Sequence, residues 1–566
     1  MSEKILSYLI EHGLLTQKQA DELREKHKET GTSIRELVAE SGSVSEEHLL
    51  EALAAVFRLP VVHLYEEQID PEVRPLVRPD LMRTHAVLPF AFDPDEPGTI
   101  RVAINDPMNM KGRDLVAIAS KCRVRPYLAT LSDILLTIDR CFGTEEMQEA
   151  VDLYTRDNEI TTSIEEEIMR EDVNSSPVVM LVNSMVEQAV RQRASDIHVE
   201  AEQDRIRVRC RVDGVLYTTA TYSPQLLSAI VARIKIISGL DISEKRKPQD
   251  GRFSYTVDHR EYDIRVSILP TVYGEKCVMR LTQKKALANN KKMLGMFDED
   301  LEKFDKILNR PNGIVLVTGP TGSGKSTTLY TALSELNSDM VNIITVEDPV
   351  EANIDGINQV QVNPKADMTF ANALRSILRQ DPDIIMIGEI RDGETASIAV
   401  QASITGHLVV STLHTNDTAS SVTRLLDMGV ESYLIADSTV GIIAQRLVRR
   451  LCPNCKRSRP VLDHEADYLE LSPLERKTKT ICEPVGCQRC NGTGFYGRIG
   501  VYEIMEITPR LRGMIARKAH TDSLREAAIE EGMSTLRQSA RRLVLEGTTA
   551  LKELHAISVE SYDEVK

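Results

Sequence analysis

The chain has 566 residues, a length that favours several domains, each large enough to bury its own core. It carries 69 lysine and arginine residues against 85 aspartate and glutamate residues, a formal net charge of −16 that argues against a general nucleic-acid binder. Only 4% of the residues are aromatic and none is tryptophan, so platforms for stacking bases are scarce. No apolar run approaches the roughly 18 residues of a membrane span and the start lacks the apolar core of a secretory signal, so we expect a cytosolic protein.

The N-terminal third predicts three successive regions. Residues 1–57 form a helical repeat region, in which apolar residues recur three and four apart and Thr16 and Ser45 are N-caps; a structural bundle is favoured here over a ligand site. Residues 58–143 read as a small α/β domain with alternating strands. The carboxylate-rich stretch 144–176 is predicted to be an acidic linker.

A second N-terminal domain is predicted over residues 177–284, and it is rich in arginine within an acidic protein. It begins with a helix and continues with a strand in which every second residue is arginine, so that one face carries Arg205, Arg207, Arg209 and Arg211. Two interpretations stay open for this stripe. It is either a solvated strand face or a cationic surface that faces a bound triphosphate.

Residues 285–566 contain apolar strands separated by helical stretches, the pattern of a largely parallel sheet covered on both faces. The phosphate-binding pattern G-x-x-x-x-G-K-[S/T] directly follows the first of these strands in the sequence. Its glycines allow successive backbone N–H groups to turn toward one anion, Lys325 reaches the β and γ oxygens, and Ser326 is placed to ligate Mg²⁺. The predicted nucleotide-binding residues are Gly319, Pro320, Thr321, Gly322, Ser323, Gly324, Lys325, Ser326 and Thr327.

Carboxylates follow two of the apolar strands, where ligands of such sheets gather. Phosphoryl transfer needs one acidic group at the metal and another to orient the attacking water, and Glu347 and Glu389 are the two candidates. We favour Glu389 at the Mg²⁺ and Glu347 at the water, although the sequence leaves their assignment open. His407 or His414 could contact the γ-phosphate or be structural.

Two C-x-x-C pairs lie in the same region, within a predicted element at about residues 450–495. Four thiolates match tetrahedral Zn²⁺, and filling all four positions favours structural over catalytic zinc. Free thiols or disulfides are the alternative. The predicted ligands are Cys452, Cys455, Cys487 and Cys490.

These motifs together resemble those of the type II secretion and type IV pilus assembly ATPases, the GspE and PilB family. The matching segments are 319–327, Thr345–Glu351, Gly388–Asp392, Thr405–His414 and the paired C-x-x-C motifs. Further segments look like that family's second N-terminal domain, namely Ser195–His198, Arg211–Gly214 and Glu244–Gly251. The resemblance is strong over about residues 177–560 and looser over the first 143.

The resemblance implies an α/β fold with a RecA-like P-loop ATPase core, a preceding PAS-like α/β domain, a helical N-terminal region and a tetracysteine zinc element. It also implies an ATP-hydrolysing homohexamer at the cytoplasmic face of the inner membrane, held there through partners, which moves pilin-like subunits by way of a platform protein. Its cofactors would be ATP, Mg²⁺ and Zn²⁺. By the same analogy, Arg233 and Arg246 are candidates for contacts to the triphosphate.

Pilus assembly and type II secretion are not separated by the sequence. A retraction motor is disfavoured by the long N-terminal region and the four cysteines. Two alternatives from other classes are a nucleic-acid translocase, against which the net acidity counts, and a nucleotide-regulated scaffold without turnover, against which Lys325, Glu347 and Glu389 argue.

Overall fold

The computed structural model describes residues 2–41, 44–143, 177–258, 260–283 and 291–560. The chain divides into two compact units, Met1–Gln283 and Lys284–Lys566. The predicted acidic linker at 144–176 lies outside the described residues, and the finer domain boundaries stay predictions. Within the described ranges, every helix is too short or too polar to cross a bilayer.

The first unit begins with four helices, Ser2–Glu11, Gln17–Thr30, Ile34–Ser41 and Glu46–Phe57. Thr16 and Ser45 are the predicted N-caps: each side chain accepts a hydrogen bond from the backbone N–H three residues on. The helices share one apolar core with a three-stranded sheet of β1 (Val87–Phe92), β2 (Thr99–Ile104) and β3 (Arg123–Leu128). Around this sheet lie helices Pro79–His85, Met110–Ser120 and 131–143.

The rest of the first unit is a six-stranded antiparallel sheet with two helices, Pro177–Arg191 and Leu227–Ile237. Its strands pair in the order β6-β5-β4-β9-β8-β7. Helices and sheet bury a single apolar core between them. The strands are β4 (Ala194–Ala201), β5 (Ile206–Val212), β6 (Val215–Tyr222), β7 (Gln249–Val257), β8 (Arg260–Thr271) and β9 (Gly274–Gln283).

The arginine stripe begins at Arg205, one residue before β5, and continues along β5, where carboxylates on and just beyond β4 contact it. Arg209 donates two hydrogen bonds of 2.8 Å to the two carboxylate oxygens of Glu200. Arg207 also contacts Glu200, while Arg205 contacts Glu202 at 2.6 Å. The stripe is therefore an ion-paired face of the sheet. This supports a structural role for the alternating arginines over a cationic surface that faces a triphosphate.

The second unit is built on a seven-stranded sheet whose order is β12-β11-β13-β14-β10-β15-β18. All neighbours are parallel except the last pair. Every residue of β10, β11, β13 and β14 is buried, as the apolar runs predicted for a sheet covered on both faces. The strands are β10 (Gly313–Thr318), β11 (Ile343–Glu347), β12 (Asn358–Gln361), β13 (Ile384–Ile387), β14 (Leu408–Leu413), β15 (Thr439–Leu451) and β18 (Phe495–Glu506).

Helices pack on both faces of this sheet and form two separate apolar cores. A two-stranded antiparallel sheet of β16 (Arg457–Pro460) and β17 (Thr480–Glu483) lies between β15 and β18 in the chain. The carboxyl ends of β10, β11, β13 and β14 meet at one edge of the sheet. The helices are Asp298–Leu308, Lys325–Leu336, Phe370–Ile377, Gly393–Ile404, Thr418–Asp427, Ser432–Ser438, Asp463–Tyr468, Glu475–Thr478, Pro509–Ala516, Thr521–Glu530, Leu536–Leu545 and Leu551–Glu560.

Candidate active site and metal centre

The loop between β10 and the helix Lys325–Leu336 has the backbone that phosphate binding requires. Gly319, Gly322 and Gly324 have φ angles of 150°, 80° and 90°, a region that residues with a Cβ rarely adopt. A Cβ on Gly319 would also come within 2.4 Å of the Gln445 carbonyl oxygen. The loop therefore turns tightly into a helix N-terminus, where free N–H groups and the helix dipole favour an anion.

Two side chains of the loop are suited to a polyphosphate. The Nζ of Lys325 donates to the carbonyl oxygens of Gly319 and Pro320, at 2.8 and 3.0 Å, so the ammonium lies over the loop. Burial lowers the pKa of Lys325 to about 8, with the charge of Glu389 opposing this shift and that of Arg446 adding to it. The Ser323 hydroxyl is buried and makes no hydrogen bond to the described residues. An anion in the loop would satisfy both groups.

Glu389 lies just beyond β13, and His414 lies just beyond β14. Because β14 runs between β13 and β10, both side chains stand at the sheet edge beside the phosphate loop. Nε2 of His414 is 3.2 Å from Oε2 of Glu389, and Arg391 contacts the other Glu389 oxygen. Burial alone would raise the pKa of Glu389, but the hydrogen bond and charge of Arg391, together with those of His414, hold it below its ordinary value.

Glu347 ends β11 and is 4% exposed. Its carboxylate accepts hydrogen bonds from Tyr330, from Thr345 Oγ1 at 2.6 Å and from Gln359 Nε2 at 3.1 Å. A carboxylate offers about four acceptor positions, so these three donors leave one. Glu347 is held rigidly, and the partners that hold it were not apparent from the sequence.

Sequence reasoning also missed Gln445 and Arg446, which lie on β15 directly behind the phosphate loop. Their side chains are 2% and 6% exposed. Gln445 accepts a hydrogen bond of 2.8 Å from Thr328, in the helix that follows the loop. In the sequence, the one indication of their role is that these two polar residues interrupt an apolar run within Thr439–Leu451.

Arg233 and Arg246 belong to the first unit and not to the unit that carries the phosphate loop. Arg233 lies on the helix Leu227–Ile237, where burial lowers its pKa. The Arg246 side chain is 88% exposed, and its Nε is 3.4 Å from Glu244. Their contact with triphosphate stays a prediction.

The four predicted zinc ligands come together between the ends of β15 and β18. Their sulfur atoms all lie within 4.8 Å of one another, and three of the pairs are 3.7 to 3.8 Å apart. Four ligands at the ~2.3 Å of a Zn–S bond form a tetrahedron with edges of about 3.8 Å, so the cluster fits zinc. Backbone N–H groups of Gly486 and Gly494 donate hydrogen bonds of 3.2 Å to two of the sulfurs, as the outer-shell donors of metal-bound thiolates do. The cluster, Cys452, Cys455, Cys487 and Cys490, could therefore bind a metal ion.

Comparison with known proteins agrees with this geometry. Residues 171–556 match the family described as type II/IV secretion system protein, and residues 57–148 match the MshEN domain. Since the first match covers more than half of the chain, the chain belongs to the type II/IV secretion system protein family. It is a secretion or pilus motor ATPase of that family.

Two relatives are similar to the chain over nearly its whole length. The type IV pilus assembly ATPase PilB of Myxococcus xanthus is 41% identical over 98% of this chain and 98% of its own. The type II secretion system protein E of Xanthomonas campestris is 39% identical over 99% of both. Among solved structures, the ATPase DotB of Legionella pneumophila superposes with a TM-score of 0.50 at 21% identity, covering 67% of this chain and 96% of DotB, and it shows the shared ATPase fold.

Proposed function

We propose that this chain is the subunit of a homohexameric motor whose ATP hydrolysis powers the assembly of type IV pili or of type II secretion pseudopili. The observation that carries the proposal is the 41% identity with a pilus assembly ATPase over 98% of both chains, in a protein with a complete phosphate loop. The type II secretion relative is similar to nearly the same degree, so both systems stay within the proposal.

Within the site, Lys325 and the loop N–H groups would hold the β and γ phosphates. Ser326 and Glu389 would hold Mg²⁺, which supplies charge neutralisation to the triphosphate when bound. The lowered pKa of Glu389 supports this role, because a carboxylate must be ionised to ligate a metal. His414 would keep Glu389 oriented and face the γ-phosphate.

Glu347 would orient the attacking water through its remaining acceptor position. Its three donors fix the carboxylate, and fixed orientation is what positioning of a nucleophile requires. Arg233 and Arg246 would add guanidinium groups to the triphosphate, as the family resemblance implies. Zn²⁺ would have a structural role at the four cysteines, joining the ends of β15 and β18.

The motor would work at the cytoplasmic face of the inner membrane. It would be held there through an inner-membrane platform protein and would not bind nucleic acid. The net charge of −16 supports the last point, since a nucleic-acid binder needs a basic surface.

A deletion strain tests the proposal and separates its two forms. Loss of surface filaments by electron microscopy would assign the chain to pilus assembly, and loss of secreted enzymes from the medium would assign it to type II secretion. Restoration by the parent gene but not by Lys325→Ala would tie either loss to ATP hydrolysis. A strain with normal filaments and normal secretion would contradict the proposal.

The oligomeric state has its own test. The mass of the purified protein should shift to that of a hexamer when a non-hydrolysable ATP analogue and magnesium are added. Monomers at every protein concentration and with every nucleotide would contradict the hexamer.

A further inference from the structure

The guanidinium of Arg446 is buried behind the phosphate loop. Arg446 lies on β15, which pairs in parallel with β10, and the partner of Thr318 at the end of β10 is Ala444, two residues before Arg446. The side chain is 6% exposed. Burying a charged group costs free energy unless it is well hydrogen-bonded, so the partners of Arg446 indicate why an arginine stands there.

The partners of Arg446 belong to two different parts of the site. Nη2 donates to Oδ1 of Asn416 at 2.8 Å and to its carbonyl oxygen at 3.2 Å. Nη1 donates to the carbonyl oxygen of Gln445 at 3.2 Å, and a Cβ on Gly319 would lie 3.2 Å from this nitrogen. The guanidinium therefore packs against the first glycine of the phosphate loop and binds the segment that follows β14.

The segment that follows β14 is His414–Asn416, and its first residue is the histidine that contacts Glu389. The Thr415 N–H donates to Oγ1 of Thr318 at 2.9 Å, which ties the segment to the last residue before the phosphate loop. Nε2 of His414 is 3.2 Å from Glu389. Because Asn416 is two residues from His414, fixing Asn416 limits where the imidazole and its Glu389 partner can move.

We infer that Arg446 is a positioning residue of the ATPase site, which holds the phosphate loop and the segment His414–Asn416 in fixed relation. The planar guanidinium can bond Asn416 from one nitrogen while the other faces the loop. A lysine ammonium at this position cannot reproduce that fork. Arg446 would act in ATP hydrolysis itself, whichever filament system the motor serves.

The test is a double-mutant cycle on the full-length protein with Arg446→Met, Asn416→Ala and both together. Each single change should lower kcat by about 10- to 100-fold, because misplacement of catalytic groups is costly, while the KM for ATP changes by less than about 3-fold. The double variant should be no slower than Arg446→Met alone, since both changes break the same contact. Arg446→Lys should be nearly as slow as Arg446→Met.

A matched control lies three residues further along the same strand. Arg449 is also largely buried, and its guanidinium contacts Glu553 of the helix Leu551–Glu560 at 2.6 Å. Arg449→Met should lower thermal stability but leave kcat within about 2-fold. Unfolding curves of every variant show which fraction is folded, and if Arg446→Met does not fold, Asn416→Ala and Arg446→Lys carry the test.

A normal kcat in both Asn416→Ala and Arg446→Lys would overturn the inference. So would a double variant whose loss of kcat equals the product of the losses in the two single variants. A third contrary result is an Arg446 variant whose KM for ATP rises more than about 10-fold while its kcat stays normal. The last would assign Arg446 to direct contact with the triphosphate. Full activity of Lys325→Ala would instead show that hydrolysis does not occur at this loop, a failure of the site assignment that the cycle alone would not reveal.

Discussion

The six-stranded sheet of the first unit and the seven-stranded sheet of the second unit use charged residues in opposite ways. On the first, arginines at every second position from Arg205 along β5 are matched by carboxylates on and beside β4. On the second, the four strands β10, β11, β13 and β14 are wholly buried, and the candidate catalytic groups stand at or beyond their carboxyl ends.

Whether a charged residue indicates a ligand site depends on its position in the sheet. Along a strand, alternate charges can be neutralised by the next strand at a spacing of about 5 Å, and they then stabilise the sheet. At the carboxyl ends of buried parallel strands the polar groups converge on one edge, where a ligand can bind. Charge-removing substitutions at the carboxyl ends of the buried strands should therefore abolish activity, whereas those among the paired charges of β4 and β5 should mainly lower stability.

The largest effect is expected at Lys325. Lys325→Ala removes the ammonium that would contact the phosphates, and kcat/KM for ATP should fall by about 10³-fold or more. Steady-state phosphate release measures it. Lys306→Ala, which breaks an exposed ion pair with Glu506 in the same unit, should keep the parent rate. Near-parent activity of Lys325→Ala would contradict the site.

The second-largest effect on ATP hydrolysis is expected for Glu389→Gln. It preserves the size of the side chain but removes the charge proposed to ligate Mg²⁺, so kcat should fall by about 10²-fold while nucleotide still binds. Equilibrium binding of a fluorescent nucleotide and the hydrolysis rate separate the two steps. Glu530→Gln, which alters an exposed pair with Arg510, is the control. Equal loss of binding and turnover would count against a metal-side role.

The cysteine cluster should affect stability more than chemistry. Cys452→Ser with Cys487→Ser should lower bound zinc from about one ion per chain to near zero and lower the unfolding midpoint by about 5–10 °C. Cys482→Ser, beside the cluster but outside it, should change neither. Elemental analysis and thermal unfolding provide the measurements. A parent protein without zinc would end the zinc proposal.

The smallest effect is expected on the first sheet. Glu200→Gln removes the charge that pairs with Arg209, and it should destabilise the protein by about 1–3 kcal/mol while the KM for ATP changes by less than about 2-fold. Asp204→Asn, in the exposed turn between β4 and β5, should be neutral. A KM raised many-fold in Glu200→Gln or Arg209→Met would restore the cationic-surface interpretation.

The pH dependence of the Glu200 effect has a defined sign. Burial would raise the pKa of Glu200, but hydrogen bonds from Arg209 and Lys276 lower it from 4.5 to about 2. A carboxyl whose pKa is lower in the folded state stabilises the fold above pH 4.5, and this stability is lost as the pH falls toward 2. Parent and Glu200→Gln unfolding midpoints should therefore converge on acidification below pH 4.5.

Features set by neighbouring residues could be predicted from the sequence. The N-caps Thr16 and Ser45 depend on an N–H three residues away, and the buried strands of the second unit depend on continuous apolar runs. The phosphate loop is likewise local, because its glycines and Lys325 lie within seven residues. These features needed no knowledge of which strands are neighbours.

The sequence by itself determined the ATPase class of the chain, the nucleotide loop and the four metal-ligand candidates. Only the tertiary structure decided that β14 lies between β13 and β10, which brings Glu389 and His414 to the loop, and that β15 places Arg446 behind it. It also decided that the arginines of β5 are paired. The physical reason is that strand order and cross-strand pairing depend on packing between residues far apart in the chain, and no local pattern of residues encodes that packing.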